Sequence, residues 1–319
     1  MIPSKLQIAK ELINLSSDEE FDRMANSIMQ YQRDSIPVLE QYWSLINNQY
    51  APIPIELFKM YRISSKEQTE VAFKSSGTTS NNRSTHHVAD IDLYKSLSLS
   101  HFEKHFGKVS DQVVLALLPS YLENGDSSLV FMVNHFIETS TLAASSFVTL
   151  AECADSLKKL QKTNTPTVLF GVSFALLDLA EALKIDFPAL TIIETGGMKG
   201  KRKEMTRVEL HSQINGSFSQ SKIESEYGMT ELLSQAYTTD GVWFRPPNWM
   251  RISITDVSDP FKTLPVGSRG LLAITDLANI YSCSFIQTRD VGVLNEFGCF
   301  TVEGRLDNSD IRGCNLLHP

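Results

Sequence analysis

Ile223-Glu-Ser-Glu-Tyr-Gly-Met-Thr-Glu-Leu-Leu233 is the stretch from which the rest of the chain is read. Ile223–Tyr227 has the length of a strand. An aromatic (Tyr227), a glycine (Gly228), a hydroxyl (Thr230) and a carboxylate (Glu231) follow within five residues. Such a set suits stacking on a base, close approach to a phosphate, a hydrogen bond to it, and ligation of Mg²⁺. The same residues also suit a strand end whose tyrosine packs and whose glutamate is solvated.

Working outward, short apolar runs at Val113–Leu118, Thr167–Phe170 and Thr191–Glu194 read as buried strands, each bounded by Gly, Pro or polar residues. Between them Asp90–Phe106, Glu152–Lys162, Phe174–Leu183 and Lys203–Ile214 read as helices. Alternation of this kind implies βαβ units and a mainly parallel sheet. Beyond about Asp240 the helices cease. Val242–Arg245, Met250–Asp256, Gly270–Asp276, Phe285–Thr288 and Cys299–Glu303 read as strands separated by turns. At the other end, Ser17 with Glu20 suggests a capping box, and Phe21, Met24, Ala25 and Ile28 keep helical spacing. The expected fold class is α/β: an N-terminal helical segment over 1–55, an α/β body over 56–240, a β-rich subdomain over 241–305 and a tail over 306–319.

A chain of 319 residues with 42% apolar and 21% charged residues holds a sizeable core. Its 29 basic and 37 acidic residues give −8 and are scattered, so no basic stripe suggests a nucleic acid. No apolar run reaches the length of a membrane span, and the N-terminus meets acidic residues early, so a soluble cytoplasmic protein is expected. Cys153, Cys283, Cys299 and Cys314 are widely spaced, which argues against a disulfide framework or a zinc site.

Three further segments carry chemistry. Phe73-Lys-Ser-Ser-Gly-Thr-Thr-Ser-Asn-Asn offers hydroxyls and backbone N–H groups to phosphate oxygens, although a Ser/Thr-rich surface turn needs the same residues. It lacks the spacing of the common P-loop. Glu194-Thr-Gly-Gly-Met-Lys-Gly lies at a strand's carboxyl end, where paired glycines let backbone approach a ligand or simply turn. In Thr288-Arg-Asp-Val-Gly and Gly304-Arg-Leu-Asp, Asp290 suits two ribose hydroxyls and Arg305 the same sugar or a phosphate. Arg289 and Asp290 equally suit a structural ion pair.

In this order the segments resemble the adenylate-forming superfamily of acyl-CoA synthetases, luciferases and peptide-synthetase adenylation domains. Tyr-Gly-Met-Thr-Glu-Leu-Leu-Ser-Gln, Thr-Gly-Gly-Met-Lys-Gly, Leu-Pro-Ser-Tyr-Leu-Glu and Ile-Arg-Gly-Cys-Asn-Leu-Leu are more narrowly similar to bacterial fatty acyl-protein synthetases of the LuxE type. The resemblance runs from about Phe73 to the end. It implies the large N-terminal domain of the adenylate-forming fold, with ATP and Mg²⁺ as cofactors and a fatty or other carboxylic acid as substrate. By the same resemblance Ser75, Ser76, Gly77, Thr78, Thr79 and Ser80 hold the β- and γ-phosphates, and Glu194 to Gly197, with Gly196 and Gly197, lie along the adenine and acyl pocket. Tyr227 stacks on adenine beside Gly228, Thr230 bonds the α-phosphate, Glu231 binds Mg²⁺, Asp290 and Arg305 hold the ribose, and Cys314 carries the acyl group.

The chain also departs from the superfamily pattern. Asn81, Asn82 and Arg83 stand where a lysine usually closes the phosphate loop. Arg83, a planar fork, is no equivalent of an ammonium. Most members continue past the Gly-Arg-x-Asp element into a mobile small domain bearing a catalytic lysine, whereas this sequence stops at Pro319. That lysine is expected to be absent or supplied by another chain. Three readings stand open here: transfer of the acyl group to a protein thiol and on to a reductase, transfer to coenzyme A or a carrier protein, and a non-catalytic acyl- or nucleotide-binding subunit. Homo- or hetero-oligomerisation is left open too.

Overall fold

The computed structural model describes residues 5–46, 51–76, 83–119, 125–198, 201–203 and 205–306. Helices α1 (Lys5–Ile13), α2 (Asp18–Ser35) and α3 (Pro37–Leu45) open the chain. The Ser17 hydroxyl caps α2 by accepting from Glu20 N (3.2 Å). The Glu20 carboxylate turns to Ser16 N and Oγ, so the expected box closes one residue earlier. Pro37 bars continuation of α2 and starts α3, where its missing N–H costs nothing. Buried Phe21, Ile28 and Met29 form the inner face of α2. Gln32 lies beside them with no exposed surface, donating to Asn279 O (2.9 Å), Ile280 O (3.2 Å) and Ser284 Oγ (3.1 Å). The helical start is thereby bonded to the far end of the chain.

Strands β1 (Ile53–Pro54), β2 (Val71–Lys74) and β3 (Thr85–Val88) follow, with the short helix α4 (Leu57–Met60) after β1. β2 and β3 form an antiparallel hairpin. The main sheet is built from β4 (Val113–Leu117), β5 (Ser146–Phe147), β6 (Thr167–Val172), β8 (Leu190–Thr195), β10 (Lys222–Tyr227), β11 (Ala236–Thr238) and β12 (Phe244–Arg245). Its order is β12-β11-β10-β8-β6-β4-β5, parallel from β5 to β10 and antiparallel at β11 and β12. Five helices accompany it: α5 (Ile91–Phe106), α6 (Ser128–Thr139), α7 (Leu150–Thr163), α8 (Ser173–Ala182) and α9 (Arg207–Asn215). Every residue of β4 and β6 is buried, as strands covered on both faces require. A small parallel pair, β7 (Ile185–Asp186) with β9 (Phe218–Ser219), flanks the sheet.

The second sheet contains β13 (Met250–Thr255), β14 (Arg269–Asp276), β15 (Phe285–Val293) and β16 (Gly304–Arg305), with β1 parallel to β15. β15 runs past the expected Thr288 because Val291, Gly292 and Val293 pair with Leu271, Gly270 and Arg269 of β14, and Asp290 with Arg305 of β16, ladder partners that the local sequence does not reveal. The strand expected over Cys299–Glu303 is absent. Asn295 bends the chain by accepting from Phe297 N and Cys299 N, Gly298 turns at φ 74°, and only isolated bridges at Phe300 survive. Two hydrophobic clusters result, one around the parallel sheet and one between the second sheet and α2–α3. Among the described residues, no helix is long and apolar enough to cross a membrane.

Gly292 of β15 faces Gly270 of β14, and a Cβ at Gly292 would lie 2.0 Å from the Thr301 carbonyl oxygen. Backbone cannot swing aside as a side chain can. Gly292→Ala is expected to lower stability by about 1–3 kcal/mol, read as the urea midpoint. Gly197→Ala, whose methyl would meet no atom within 4 Å, should leave that midpoint unchanged.

Candidate active site at the carboxyl end of the parallel sheet

Ligands of parallel sheets bind beyond the carboxyl ends of the strands. Here β8 ends in Glu194-Thr195 and passes into exposed Gly196, at φ 72°, and exposed Gly197. The glycines present open backbone. Glu194 turns the other way: it is buried and accepts from Ser173 Oγ (2.5 Å) at the start of α8 and from Ser225 Oγ (2.8 Å) of β10. His211 Nε2 lies 3.0 Å from Ser225 Oγ, whose own proton serves Glu194, so the imidazole donates. Burial and the nearby Arg207 push His211 down to about 4. Burial raises Glu194, against the lowering effect of the two hydroxyls and Arg207. Glu194 thus ties three strand ends together while Gly196 and Gly197 stay open to a ligand.

At the end of β10, Tyr227 is 8% exposed, with its ring against Phe244 and Phe300 (centroids 5.7 and 5.3 Å). Its hydroxyl donates to Asp290 Oδ2 (2.7 Å), and Arg305 Nε stands 4.0 Å from Asp290 Oδ1. The residues read from sequence as base- and ribose-binding form one bonded unit. Burial raises Asp290, and the Tyr227 hydrogen bond and Arg305 oppose that rise. Arg289 pairs with Glu56, not with Asp290.

The loop after β10 carries Thr230 and Glu231. Glu231 is 6% exposed; burial raises it, and the nearby Ser84 side chain is the largest opposing influence. Ser84 lies just before β3, on the hairpin whose connection is the Ser/Thr-rich segment. The base of that connection is closed by Ser75 N to Ser84 O (3.0 Å) and Ser84 N to Ser75 Oγ (3.0 Å). Arg83 donates to Ser75 O, to Lys74 O (3.2 Å) and to Asp126 Oδ1 (3.1 Å), so its charge is spent on holding the base shut. Ser76 is exposed. Gly77, Thr78, Thr79, Ser80 and Cys314 lie outside the described residues.

Sequence reasoning missed the side chains that hold Thr230 and Glu231 in place. Asn279 Nδ2 donates to Glu231 O (2.8 Å), and Asn279 Oδ1 accepts from Leu233 N (3.0 Å). Asp276 accepts from Ser234 Oγ (2.6 Å), Ser234 N (3.0 Å) and Leu233 N (3.2 Å), and burial lifts it to about 6. His86 reaches Thr230 O (2.9 Å). These residues lie far from Thr230 in sequence and in no recognised motif.

The arrangement fits a magnesium nucleotide in chemical type. Among the described residues no group of three His, Cys, Asp or Glu side chains could cage a metal. Mg²⁺ in nucleotide sites needs only one or two carboxylates beside phosphates and water, and Glu231 can supply one. The open backbone at Gly197 suits an approaching polar ligand.

No family model and no curated protein sequence matches the chain. Solved structures do. An open conformation of 2-hydroxyisobutyryl-CoA ligase, in complex with 2-HIB-AMP and CoA, superposes with TM-score 0.67 at 12% identity, covering 91% of this chain and 70% of that one. ATP-bound MatB from Rhodopseudomonas palustris gives 0.52 at 18% identity, with 73% and 47% covered. The luciferase-like enzyme of the nonluminescent Zophobas morio mealworm gives 0.53 at 15%, with 76% and 59% covered. This chain therefore spans about half the length of MatB and has the adenylate-forming fold; at these identities the likeness is one of fold.

Glu226 offers a pH test of the site's interior. It accepts from Thr195 Oγ1, its Oε1 occupies the space of a Cβ on Gly228 (2.3 Å), and burial, with neighbouring Glu194, lifts it to about 7. The folded chain then holds a proton between about pH 4.5 and 7 that the unfolded chain releases, so stability falls as pH rises through that window. Glu226→Gln removes this titration. Near pH 8 it should be more stable than the parent by about 1–3 kcal/mol, the gap closing near pH 4.5, as read from urea unfolding at both pH values. Parallel profiles would mean that Glu226 is ionised as an ordinary carboxylate.

Proposed function

We propose that this chain uses ATP to activate a carboxylic acid as an acyl-adenylate and then passes the acyl group to a protein thiol. The observation that carries the reading is the hydrogen bond from the Tyr227 hydroxyl to Asp290 Oδ2 (2.7 Å), which joins the strand-end aromatic to the carboxylate read for the ribose. In the first step a carboxylate oxygen attacks the α-phosphorus and the bond to pyrophosphate breaks. Two anions must approach each other, and Mg²⁺ would offset part of that repulsion. Glu231 would hold the ion, Thr230 would donate to the α-phosphate, and Ser75 and Ser76 with the hydroxyls beyond them would hold the leaving phosphates. The Tyr227–Asp290 unit and Arg305 would orient the nucleoside.

In the second step a thiolate attacks the acyl carbon and AMP departs. Cys153 and Cys283 are buried and their thiols are pushed up to about 12, so neither suits nucleophilic attack. Cys299 is buried as well. Cys314 remains, beside Arg312 and Gly313, and it is the residue to which the resemblance to acyl-protein synthetases gives the acyl group. The resemblance to acyl-protein synthetases supplies the finer reading: a long-chain fatty acid as substrate and an acyl reductase or carrier as partner. A second reading, transfer to coenzyme A, is favoured by one observation. A state of 2-hydroxyisobutyryl-CoA ligase holding both 2-HIB-AMP and CoA covers 97% of this chain, at 11% identity and TM-score 0.67.

ATP–pyrophosphate exchange across a panel of carboxylic acids is the deciding measurement. Glu231→Gln should reduce exchange by at least ~10-fold, one charge-assisted contact being worth on the order of 1.5–3 kcal/mol. If neither exchange nor ATP binding occurs in the parent, the chain is a non-catalytic subunit.

The acceptor is tested separately with labelled fatty acid, ATP and Mg²⁺. A hydroxylamine-sensitive thioester should form in the parent and vanish in Cys314→Ser, with exchange intact. Label that survives this change, or that maps to another cysteine, excludes Cys314 as the carrier and favours direct release to coenzyme A.

A further inference from the structure

Residues 228–235 connect two strands of the main sheet without regular structure of their own, and Glu231, Leu232, Leu233, Ser234 and Gln235 among them are buried. Buried backbone outside a helix or ladder must find hydrogen-bond partners elsewhere. Glu231 O, Leu233 N and Ser234 N find theirs on Asn279 and Asp276, at the end of β14 and in the turn that follows it. Thr230 O finds His86, which comes from the hairpin bearing the Ser/Thr-rich segment.

His86 is 1% exposed, its ring edge-on to Phe58 (centroids 5.6 Å apart), and burial pushes it down to about 4, so it is neutral at physiological pH. A carbonyl oxygen only accepts, so Nδ1, 2.9 Å from Thr230 O, carries the proton. Nε2 is then an acceptor and takes the hydroxyl hydrogen of Ser282, 2.8 Å away in the connection between β14 and β15. One tautomer satisfies both partners. The imidazole therefore bridges the hairpin, the Thr230–Glu231 loop and the second sheet.

We propose that His86 is a positioning residue, the clamp that sets Thr230 and Glu231 in register with the β2–β3 hairpin through a single Nδ1–H hydrogen bond to the Thr230 carbonyl. This assignment rests on the adenylating function proposed above for its catalytic consequence, though not for the clamp itself. A rigid register of this kind acts on the reacting geometry, so its loss is expected in kcat and much less in the KM for ATP.

Two amides separate the nitrogens of the ring. In His86→Asn the side-chain NH₂ overlies Nδ1 and can still donate to Thr230 O. In His86→Gln the amide reaches toward the Nε2 position and Ser282, leaving Thr230 O without its donor. Both leave part of the ring's volume empty, so comparable losses in melting temperature are expected. Hydrogen–deuterium exchange of the peptide over 228–236 should rise in the Gln variant and stay near the parent in the Asn variant. In pyrophosphate exchange the Gln variant should lose at least about tenfold in kcat, while the Asn variant stays within about threefold. Equal exchange rates in the two variants, or activity that follows melting temperature alone, would overturn the clamp. A parent with no adenylating activity, but with the expected protection pattern, would remove the proposed function and leave the clamp standing.

Discussion

The site depends on one constraint: an irregular loop is buried between two sheets, and its backbone must be hydrogen-bonded by side chains from outside it. Strands β10 and β11 are antiparallel neighbours, and a tight turn could have joined them. Instead the chain makes a longer excursion, and Thr230, Glu231, Leu233 and Ser234 take partners from His86, Asn279 and Asp276. Trp249 adds a further support through Ser234 Oγ (2.9 Å). Because each partner belongs to a different element, the loop's shape becomes a property of the whole domain. The helical start joins in through Gln32, which bonds the carbonyl of the same Asn279.

Electrostatics in this region follow from burial. Glu194, Glu231 and Asp276 are buried and Asp290 is partly buried, and in each the loss of water is the largest influence and acts upward. Where hydrogen-bond donors to them are seen, they are hydroxyls and backbone N–H groups: Ser173 and Ser225 for Glu194, Ser234 for Asp276, and Tyr227 for Asp290. Hydroxyls satisfy lone pairs without adding a counter-charge. Arg83 serves local structure with Asp126, whereas Arg305 stands beside Asp290 and Arg207 acts on Glu194.

Tyr227 and Asp290 show how packing redefines a motif. In sequence they are 63 residues apart and read as independent contacts for a base and a sugar. In space the phenol hydroxyl is bonded to the carboxylate, and the ring is wedged among Phe244 and Phe300, which stack on each other at 5.4 Å. A change at either residue will therefore be felt at the other.

The amino-acid sequence by itself determined the alternation of buried apolar runs with amphipathic ones, and so the parallel sheet, because a strand covered on both faces must be apolar throughout and a helix on its surface must keep a 3.6-residue stripe. β4, β6, β8 and β10 lie within a residue or two of where periodicity puts them, since local burial alone sets them. It also singled out Tyr227, Thr230, Glu231 and Asp290 as candidates, because an aromatic, a hydroxyl and carboxylates at strand ends suit a nucleotide as well as packing. Tertiary structure alone decided what those residues lean on. It extended β15 by pairing it with β14 and β16, reduced the expected strand at Cys299–Glu303 to isolated bridges, and turned Glu194 inward. It also brought His86, Asn279 and Asp276 to a loop 40 to 150 residues away, roughly, in sequence. The physical reason is that a hydrogen bond to a buried backbone group carries no sequence period: any residue with a donor or acceptor serves, wherever the fold happens to place it.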